Sequence, residues 1–492
     1  MNSVLKIYTL LVLLFIEVYA SAQQDNTLFF MHELPQANFV NPAVPSTCKL
    51  FIGFPALSSV HANYSNTALT FKDAFSKGAN GDSLYFNGDK IVSQISGKEL
   101  ITSDINLTLF TMGIHVNRYY LTFSVNEKVT TYNMIASDLL KLGWNGNTRY
   151  LGDEVSADGT RINGNSYHEF AFGASKDISA KWRLGVRAKV LFGLGNVYTP
   201  ETRGSLFTDR NSFIFSLLLN SKVNSSLPIN VSVDEDGKVE DVTLRNDFTA
   251  KEYFLNFNNL GVGADVGFIY YKDEKTTFSG SLLDFGAIFW SKDVNSFVSE
   301  GMISYPGTTE NGNFNNSDYL NQLTDSLRQI FTPVSSPGEF MSPLVPKIYF
   351  GVTHNISDHF NAGVLVRSEI YRNRLYPSFT LSANSFNYKI LNASLSYTLQ
   401  NGEYTNIGAG VGVELGAVQI HIISDNIPGF FKLDNTRNAN IRFGLSFVPG
   451  CDEKIVKEPV NTRGGGALPC YYSPYRKGKS RKAKRKVIKT FR

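Results

Sequence analysis

Long runs in which apolar and polar side chains alternate constrain the fold of this chain more than any other feature of its sequence. Successive residues of a β-strand point to opposite faces of a sheet, so each run gives a strand with one apolar face. Between 181 and 193 the even positions include Leu184 and Val186, and the odd positions include Arg183 and Arg187. Similar runs lie at 260–270, 360–370, 391–399, 407–415 and 441–447.

The length of these runs separates two kinds of β-structure. Most of these runs have about 9–13 residues, whereas a tilted membrane-spanning strand needs roughly 9–11 and strands of soluble proteins cluster near 5–6. Charged residues are only 18% of the chain and aromatic residues are 13%, which suits a surface that faces lipid with every second side chain. A large secreted β-sandwich could share that composition, but its strands would be shorter. The sequence therefore predicts an all-β fold, a transmembrane antiparallel β-barrel.

The links between the runs also follow a pattern. Short links lie at 176–179, 272–275, 355–358 and 400–403, and long links lie at 128–164, 194–258 and 291–344. Outer-membrane barrels have short periplasmic turns and long extracellular loops, and the same layout is expected here. The runs indicate about 14 strands, with an uncertainty of about two. The expected strand pairs lie near 49–65, 104–127, 166–193, 203–220, 260–290, 346–371 and 375–399, with 403–425 and 440–449 closing the barrel. The 203–220 pair is the weakest of these. Helical spacing at Tyr132–Leu142 and at Asp318–Ile330 predicts elements that either narrow the lumen or cover the rim.

The chain begins with the pattern of a secretory signal peptide over residues 1–22. Lys6 precedes an apolar stretch from 7 to 16, and Ala20-Ser21-Ala22 fits a small-x-small cleavage site. The apolar stretch is too short to cross a bilayer as a helix, which needs roughly 20 residues. The mature chain is therefore expected to begin near Gln23 in an extracytoplasmic compartment.

Residues 23–48 precede the first run and do not have the pattern of a strand. Their apolar residues cluster before Pro35, and an apolar peptide beside a barrel must bury itself somewhere. Two alternatives remain open, a plug inside the lumen and a flap packed beneath the barrel on the periplasmic side. The plug candidates are Leu28, Phe29, Phe30, Met31 and Leu34.

The polar faces of the runs are expected to line the lumen of the barrel. Glycine at every second position, at Gly408, Gly410 and Gly412, predicts a smooth inner face that another group can approach closely. The charged lumen candidates are Arg183, Arg187, Lys189, Arg367, Glu369 and Glu414.

Residues 49–450 are expected to form the barrel, and residues 451–492 are expected to form a disordered, basic periplasmic tail. These 42 residues contain 13 Lys or Arg and 3 Asp or Glu, a net charge of +10. Nucleic acid would match this charge but conflicts with a signal peptide, so the expected partner is anionic and periplasmic, such as lipid head groups, cell-wall polymer or an acidic protein. Cys451 and Cys470 could form a disulfide, which would leave Cys48 unpaired.

The sequence contains no motif that indicates catalysis or cofactor binding. We find no His-x-x-x-His, no Cys-x-x-Cys, no phosphate-binding loop and no Gly-x-Ser-x-Gly. The sequence therefore predicts no enzymatic activity, no metal and no cofactor.

Two short segments resemble a known family. Residues 28–43, with Leu34-Pro35-Gln36, Asn38 and Asn41-Pro42-Ala43, resemble the opening of an outer-membrane β-barrel family of unknown function from Bacteroidota. The segment 281–290, which reads SLLDFGAIFW, resembles a middle strand of the same family. More distantly, the chain is similar to the fatty-acid transporter barrels and to the barrel subunit of type IX secretion. These resemblances imply about 14 strands with an N-terminal plug, and they supply no ligand.

Two functional hypotheses follow. The first is an outer-membrane barrel, surrounded by lipid, that passes or binds a small ligand. In one version of this hypothesis the ligand is hydrophobic. The second is a structural or secretion-accessory barrel that docks periplasmic partners through residues 451–492.

Overall fold

The computed structural model describes residues 25–449, with internal gaps. The gaps are 68–69, 71, 73–74, 78–83, 87, 96, 146, 213, 234, 236–238, 246, 248, 306–331, 334–337, 387–389, 401–402 and 432–435. The expected signal peptide at 1–22, the helix expected at Asp318–Ile330 and the basic tail at 451–492 therefore lie outside the described residues.

Strands dominate the described residues. In chain order they are β1 (Leu50–Gly53), β2 (Ser59–Asn66), β3 (Phe75–Lys77), β4 (Leu84–Phe86), β5 (Lys98–Val116), β6 (Tyr119–Ala136), β7 (Glu154–Ser156), β8 (Arg161–Asp177), β9 (Trp182–Tyr198), β10 (Thr202–Thr208), β11 (Phe215–Ser226), β12 (Ile229–Val233), β13 (Val239–Leu244), β14 (Leu260–Tyr271), β15 (Thr276–Trp290), β16 (Val294–Tyr305), β17 (Thr332–Pro333), β18 (Phe340–Pro343), β19 (Lys347–Asn355), β20 (Phe360–Tyr371), β21 (Arg374–Ser385), β22 (Leu391–Gln400), β23 (Glu403–Leu415), β24 (Val418–Ser424) and β25 (Asn438–Phe447).

The helices are short. They are the α-helices α1 (Gly88–Gln94), α2 (Ser137–Asn145), α3 (Ala250–Phe254) and α4 (Ile427–Phe431), and the 3₁₀-helices η1 (Leu28–Phe30), η2 (Pro35–Phe39) and η3 (Asn147–Tyr150). Among the residues that the structure describes, none of the helices has the length and apolar character needed to cross a membrane.

The strands close into one antiparallel barrel. β1 and β2 both pair with β5 on one side and with β25 on the other, so they are two parts of one wall strand and close the circuit. β18 and β19 both pair with β15 and form a second interrupted wall strand. The wall then has 14 strands in chain order, which confirms the predicted fold class and strand number.

Three details of the predicted strands and helices are wrong. The pair expected at 203–220 is not part of the wall, because β10 and β11 form a side sheet with β7 and β16 that joins β9 near its end. The pair expected at 49–65 is the single interrupted strand β1–β2. The helical pattern at Tyr132–Leu142 becomes a helix only from Ser137 onward, because its first residues continue β6.

The two ends of the barrel differ in their connections. We name the end where β1 begins and β25 ends the proximal end, and the opposite end the distal end. Antiparallel order places the links 117–118, 178–181, 272–275, 356–359 and 416–417 at the proximal end, and the long links 137–160, 199–259 and 291–339 at the distal end. The sequence pattern groups the link at 400–403 with the other short links, which predicts the same end for all of them. This link instead lies at the distal end.

Inner and outer faces of the wall have opposite character. On β9, Leu184 and Val186 point outward and are exposed, whereas Arg183, Arg187 and Lys189 point inward and are buried. The alternation seen in the sequence thus separates a continuous apolar outer surface from a polar lumen.

Cys48 lies two residues before the start of β1, buried and disulfide-bonded. The expectation that Cys48 would stay unpaired is therefore wrong. Cys451 and Cys470 lie outside the described residues.

Candidate functional site

The lumen contains the residues that precede the first strand. We name residues 25–48 the N-terminal segment, which includes η1 and η2. The segment extends along the inner face of β25, from Gln36, which donates to Ser446 at 2.7 Å near the proximal end, to Asp25, which pairs with Arg442 further along the strand. All of its residues except 25, 33, 39 and 47 are buried. Because 3₁₀-helices of three and five residues are not stable alone, their conformation depends on the surrounding wall.

The structure buries all five plug candidates against the inner wall. They are Leu28, Phe29, Phe30, Met31 and Leu34, each at most 4% exposed. Together with wall residues they form one apolar cluster, whose wall members include Ile269, Leu283, Tyr349, Leu365 and Ile423. The ring of Phe29 stacks on that of Tyr349 with centroids 5.8 Å apart.

Inward-facing glycines provide the space for these side chains. A Cβ built on Gly351 would lie 2.5 Å from the Phe29 ring, and one built on Gly412 would lie 2.6 Å from Leu34. On Gly410 it would lie 2.4 Å from the sulfur of Met31. The alternate glycines of β23 are therefore places where the segment approaches the backbone of the wall more closely than any side chain would allow.

We expect Gly351→Ala to loosen the segment without disrupting the barrel. The added methyl group overlaps the Phe29 ring, and overpacking of this kind costs about 1–3 kcal/mol. Limited proteolysis of purified protein should release peptides of residues 25–48 faster than in the unmodified chain. The matched control is Gly164→Ala, where the new Cβ would meet its first neighbour only at 4.0 Å. Equal cleavage of both variants would show that the Gly351 contact does not hold the segment.

Arginines of β9 bind the backbone of the segment. Arg183 Nε donates to the carbonyl oxygen of Ala43 at 2.9 Å. Arg187 Nη2 donates to the carbonyl oxygen of Asn38 at 2.5 Å and also to the side-chain Oδ1 of Asn38 at 2.7 Å. Irregular backbone inside a barrel leaves carbonyl groups without strand partners, and charged donors form the stronger hydrogen bonds to them. Ser281 on β15 adds a further bond, to the carbonyl oxygen of Val40. Two of the predicted lumen residues therefore hold the segment from one side.

Two carboxylates, Asp25 in the segment and Asp425 beyond β24, fix the first residues of the segment to the other side of the lumen. The Asp25 carboxylate accepts from Arg442 Nε at 2.8 Å and from Nη2 at 2.7 Å. Asp425, fully buried beyond β24, accepts the backbone N–H groups of Thr27 at 2.7 Å and of Asn26 at 3.1 Å. Burial opposes the charge on Asp25, but the Arg442 guanidinium holds the pKa of Asp25 well below its usual range. Burial raises the pKa of Asp425, and its hydrogen bonds with Thr27 counteract that effect.

Acid is expected to weaken the seating of the segment through His32. Burial lowers the pKa of His32 to about 4, so the seated segment carries a neutral imidazole, whereas a released segment would return His32 to its ordinary pKa near 6.5. Proton uptake therefore favours the released state as pH falls from about 6.5 to about 4, by up to about 3 kcal/mol at the acid end. Proteolytic release of residues 25–48 should accelerate over this range. In the His32→Gln variant the acceleration should be smaller, and an unchanged pH profile would assign it to other groups.

Next to the segment, charged side chains from seven wall strands meet in the lumen. We name this group the central charge cluster. Its members are Lys128, Lys189, Lys347, Asp104, Glu169, Asp265 and Asp284. Lys189 Nζ lies 2.6 Å from Asp284, 2.7 Å from Asp265 and 3.3 Å from Glu169. Lys128 pairs with Glu169 at 2.9 Å, and Lys347 pairs with Asp104 at 2.9 Å. Arg187, which holds the segment, also pairs with Asp265 at 2.9 Å, so the cluster and the segment are directly connected.

Asp284 occupies a bulge in the middle of β15. Its φ is +57°, and the β14–β15 register shifts at this point. The left-handed conformation is unfavourable for most side chains but is tolerated by Asp. The bulge makes two successive residues, Leu283 and Asp284, point inward, so Leu283 packs on the N-terminal segment while Asp284 reaches the lysines. Its carboxylate lies within 3.6 Å of Lys128, Lys189 and Lys347, on three different strands.

A small polar cavity lies between the segment and the cluster. Its volume is about 60 Å³, and its lining includes Asp25, His61, Lys128, Asp284 and Arg442. A water molecule needs roughly 10–15 Å³ of such volume, so the cavity holds only a few. This cavity therefore has room for water but not for a larger solute. No group of three His, Cys, Asp or Glu side chains suited to a metal ion occurs among the described residues.

The remaining sequence-predicted residues divide into two groups. Arg367 and Glu369 are buried in the lumen and pair at 2.7 Å, and Arg367 Nε also donates to the Tyr349 hydroxyl at 3.0 Å. Glu414 is half-buried near the proximal end, away from the cluster. Sequence reasoning missed most cluster members and both carboxylates that hold Asn26, Thr27 and Arg442. The available signal was the presence of charged residues within otherwise apolar strands.

Comparison with known proteins gives one family and distant structural neighbours. The profile of a family described as "Family of unknown function (DUF5723)" matches residues 42–425. None of the curated proteins matches the sequence. The toluene transporter TbuX of Ralstonia pickettii is 10% identical, with 84% of this chain and 94% of that chain covered and a TM-score of 0.40. A FadL homologue of Pseudomonas aeruginosa is 10% identical, with 87% and 99% covered and a TM-score of 0.38. At this level of similarity the ligands of those proteins are not carried over to this chain.

Proposed function

The chain belongs to the DUF5723 family, whose name gives no activity, and from the geometry of the lumen we propose that it is a gated outer-membrane barrel with residues 25–48 as its plug. The observation that carries this proposal is the burial of almost the whole N-terminal segment against inward-facing wall residues. Charged side chains on opposite sides of the lumen bind this segment. They are Arg183 and Arg187 on one side and Asp425 and Arg442 on the other.

The outer surface supports location in a membrane. Large apolar side chains are exposed around the whole wall, including Phe172, Val186, Phe285, Leu395 and Ile422. A continuous apolar surface of this extent is unfavourable in water, and lipid is the environment that matches it. The expected signal peptide and the short proximal links are consistent with a bacterial outer membrane.

Cell fractionation combined with gel electrophoresis tests this location. We expect the protein in the outer-membrane fraction and a faster-migrating band in unheated samples, because a closed barrel stays folded in detergent until it is heated. Recovery of the folded protein from the soluble fraction without detergent would reject the membrane location.

The wall beneath the plug supports a proposal for the class of ligand. When the segment leaves, Ile269, Leu283, Leu365 and Ile423 become the surface of an apolar groove beside the glycines. We propose that a small hydrophobic ligand binds this groove in competition with Phe29 and its neighbours, and that displacement of the plug opens the path. Proteoliposomes should take up a small aromatic hydrocarbon faster than liposomes without protein.

A polar solute is the second candidate, because the described cavity is lined by charged side chains. Liposome swelling with a series of small sugars and amino acids distinguishes the two candidates. Swelling without hydrocarbon uptake would favour the polar solute.

The docking hypothesis for residues 451–492 stays a prediction. Pull-downs from periplasmic extract with the full chain and with a chain that ends at 450 would test it. Identical sets of captured proteins would argue against the tail as a docking element.

A further inference from the structure

A short aromatic segment covers a polar site on the outer wall, where lipid would otherwise be the neighbour. On β6 and β8, Lys128 and Glu169 point into the lumen, so the neighbouring Glu127 and His168 point outward. His168 is nevertheless only 1% exposed. The segment that follows the β12–β13 hairpin, consisting of α3 and residues 255–259, lies over it.

Specific contacts attach this segment to the wall. The Tyr253 hydroxyl donates to Glu127 Oε1 at 2.8 Å, and the Tyr253 ring meets the His168 ring edge-on at 5.0 Å. Phe254 stacks on the other part of the His168 ring, with centroids 5.5 Å apart. A charged or polar pair facing hydrocarbon is costly, and these contacts remove that cost by giving Glu127 a hydrogen bond and His168 an aromatic cover.

Asparagines fasten the next residues. Asn256 Nδ2 donates to the carbonyl oxygen of Gly193 at 3.0 Å, and the Gly193 N–H donates to the carbonyl oxygen of Asn259 at 2.7 Å. Phe257, between them, meets Phe192 of the wall edge-on at 5.3 Å. Residues 256–259 of the segment are therefore fixed along β9.

Apolar side chains of the same segment remain exposed. Phe254 is 50% exposed and Phe257 is 63% exposed, and Leu255 between them is exposed as well. On the distal side, an ionic group continues the segment: Glu252 pairs with Arg245 and Lys292, and Arg245 also pairs with Asp293 at 2.8 Å. One edge of the segment is thus apolar and aromatic, and the other edge is charged and hydrated.

The height of the segment matches an interface between lipid and water. Trp182 marks the proximal aromatic level, where its ring contacts that of Tyr270 at 4.6 Å. Phe192 follows ten residues later on β9, about 33 Å along the strand at roughly 3.3 Å per residue. For a strand tilted by about 40°, this distance corresponds to about 25 Å along the membrane normal, which is the height of the apolar band of outer-membrane barrels.

We propose that residues 253–257 are a lipid anchor that inserts Phe254, Leu255 and Phe257 into the distal leaflet at its interface. The occupant of this surface is lipid rather than protein, because the exposed side chains continue the outward apolar surface of β8 and β9. The anchor extends the barrel's contact with the membrane at the place where two strands carry outward polar residues. It rests on the membrane location proposed above and is independent of the plug.

Tryptophan quenching by brominated phospholipid tests the anchor in the full-length protein. Trp182 is outward and Trp290 is fully buried, so replacing the exposed Trp144 by Phe gives a background that reports on Trp182. In that background, Phe257→Trp should add emission that brominated acyl chains quench and that aqueous iodide does not. Phe207→Trp is the matched control, because Phe207 is 42% exposed but lies on the side sheet beyond the rim. Its added emission should respond to iodide instead.

The outcomes separate the anchor from the membrane location. Quenching of Trp182 together with no quenching at position 257 would overturn the anchor and leave the barrel in the membrane. No quenching of either would reject the membrane location itself.

Discussion

Deletion of residues 25–45 is expected to convert a barrel of very low conductance into an open channel. The segment fills the proximal part of the lumen, and its side chains enter the space left by wall glycines, so no wall residue can replace it. Barrels of about eight strands are filled by their own side chains, whereas those of roughly 16–18 strands hold an aqueous channel. With 14 strands, the emptied barrel is expected to have a conductance at least about tenfold higher than that of the intact protein in planar bilayers.

The deletion should also give the channel a preference for anions. Residues 25–45 include Asp25 and Glu33 but no Lys or Arg, so the deletion removes two negative charges, and Arg442 loses its partner Asp25. The vacated lumen therefore gains uncompensated positive charge, which attracts anions. A reversal potential measured across a salt gradient should shift toward that of the anion.

An engineered disulfide that fixes the N-terminal segment to the wall provides a reversible control in the full-length chain. The Thr27 and Ser396 hydroxyls are 2.7 Å apart, so Thr27→Cys with Ser396→Cys places two thiols within reach of a disulfide. The oxidised form should stay closed under conditions that open the unmodified protein, and reduction should restore opening. A deletion variant that shows the heat-modifiable band of a folded barrel and still does not conduct would refute the plug.

The sequence predicted the wall better than the contents of the lumen. Alternation is a local property, so β9, β20 and β22 could be placed from their own residues, and Arg183, Arg187 and Lys189 followed from the phase of one strand. β10 and β11 alternate in the same way, yet they pair outside the wall. That difference depends on strand partners far away in the chain, which local periodicity does not contain.

The central charge cluster could not be predicted for a related reason. Lys128, Lys189 and Lys347 come together only because the closed barrel brings three strands to one height. A trace of the bulge does exist in the sequence, since the outward apolar positions of β15 change phase between Leu282 and Phe285. The plug candidates were identifiable because apolar residues without a strand pattern stand before Pro35. Their partners on the wall were not, because a glycine does not show which side chain it admits.

Asp284→Asn is expected to destabilise the barrel strongly, although the substitution changes few atoms. Asn tolerates the left-handed conformation as Asp does, so the bulge can form, but the negative charge among Lys128, Lys189 and Lys347 is lost. Removal of one partner from a buried ion pair typically costs about 3–5 kcal/mol, because the remaining charges stay buried and uncompensated.

Urea unfolding in detergent, followed by the heat-modifiable band, measures this effect. Two variants separate charge from backbone geometry. Asp284→Gly also permits the left-handed conformation and lacks the charge, so it should lose about as much stability as Asp284→Asn. Arg203→Ala breaks an exposed pair with Glu201 and should change the unfolding midpoint very little, since such pairs contribute about 0–1 kcal/mol. If Asp284→Asn unfolds at the same urea concentration as the unmodified chain, the bulge is maintained for its geometry alone. The lysines would then be stabilised by Asp104, Glu169 and Asp265 without it.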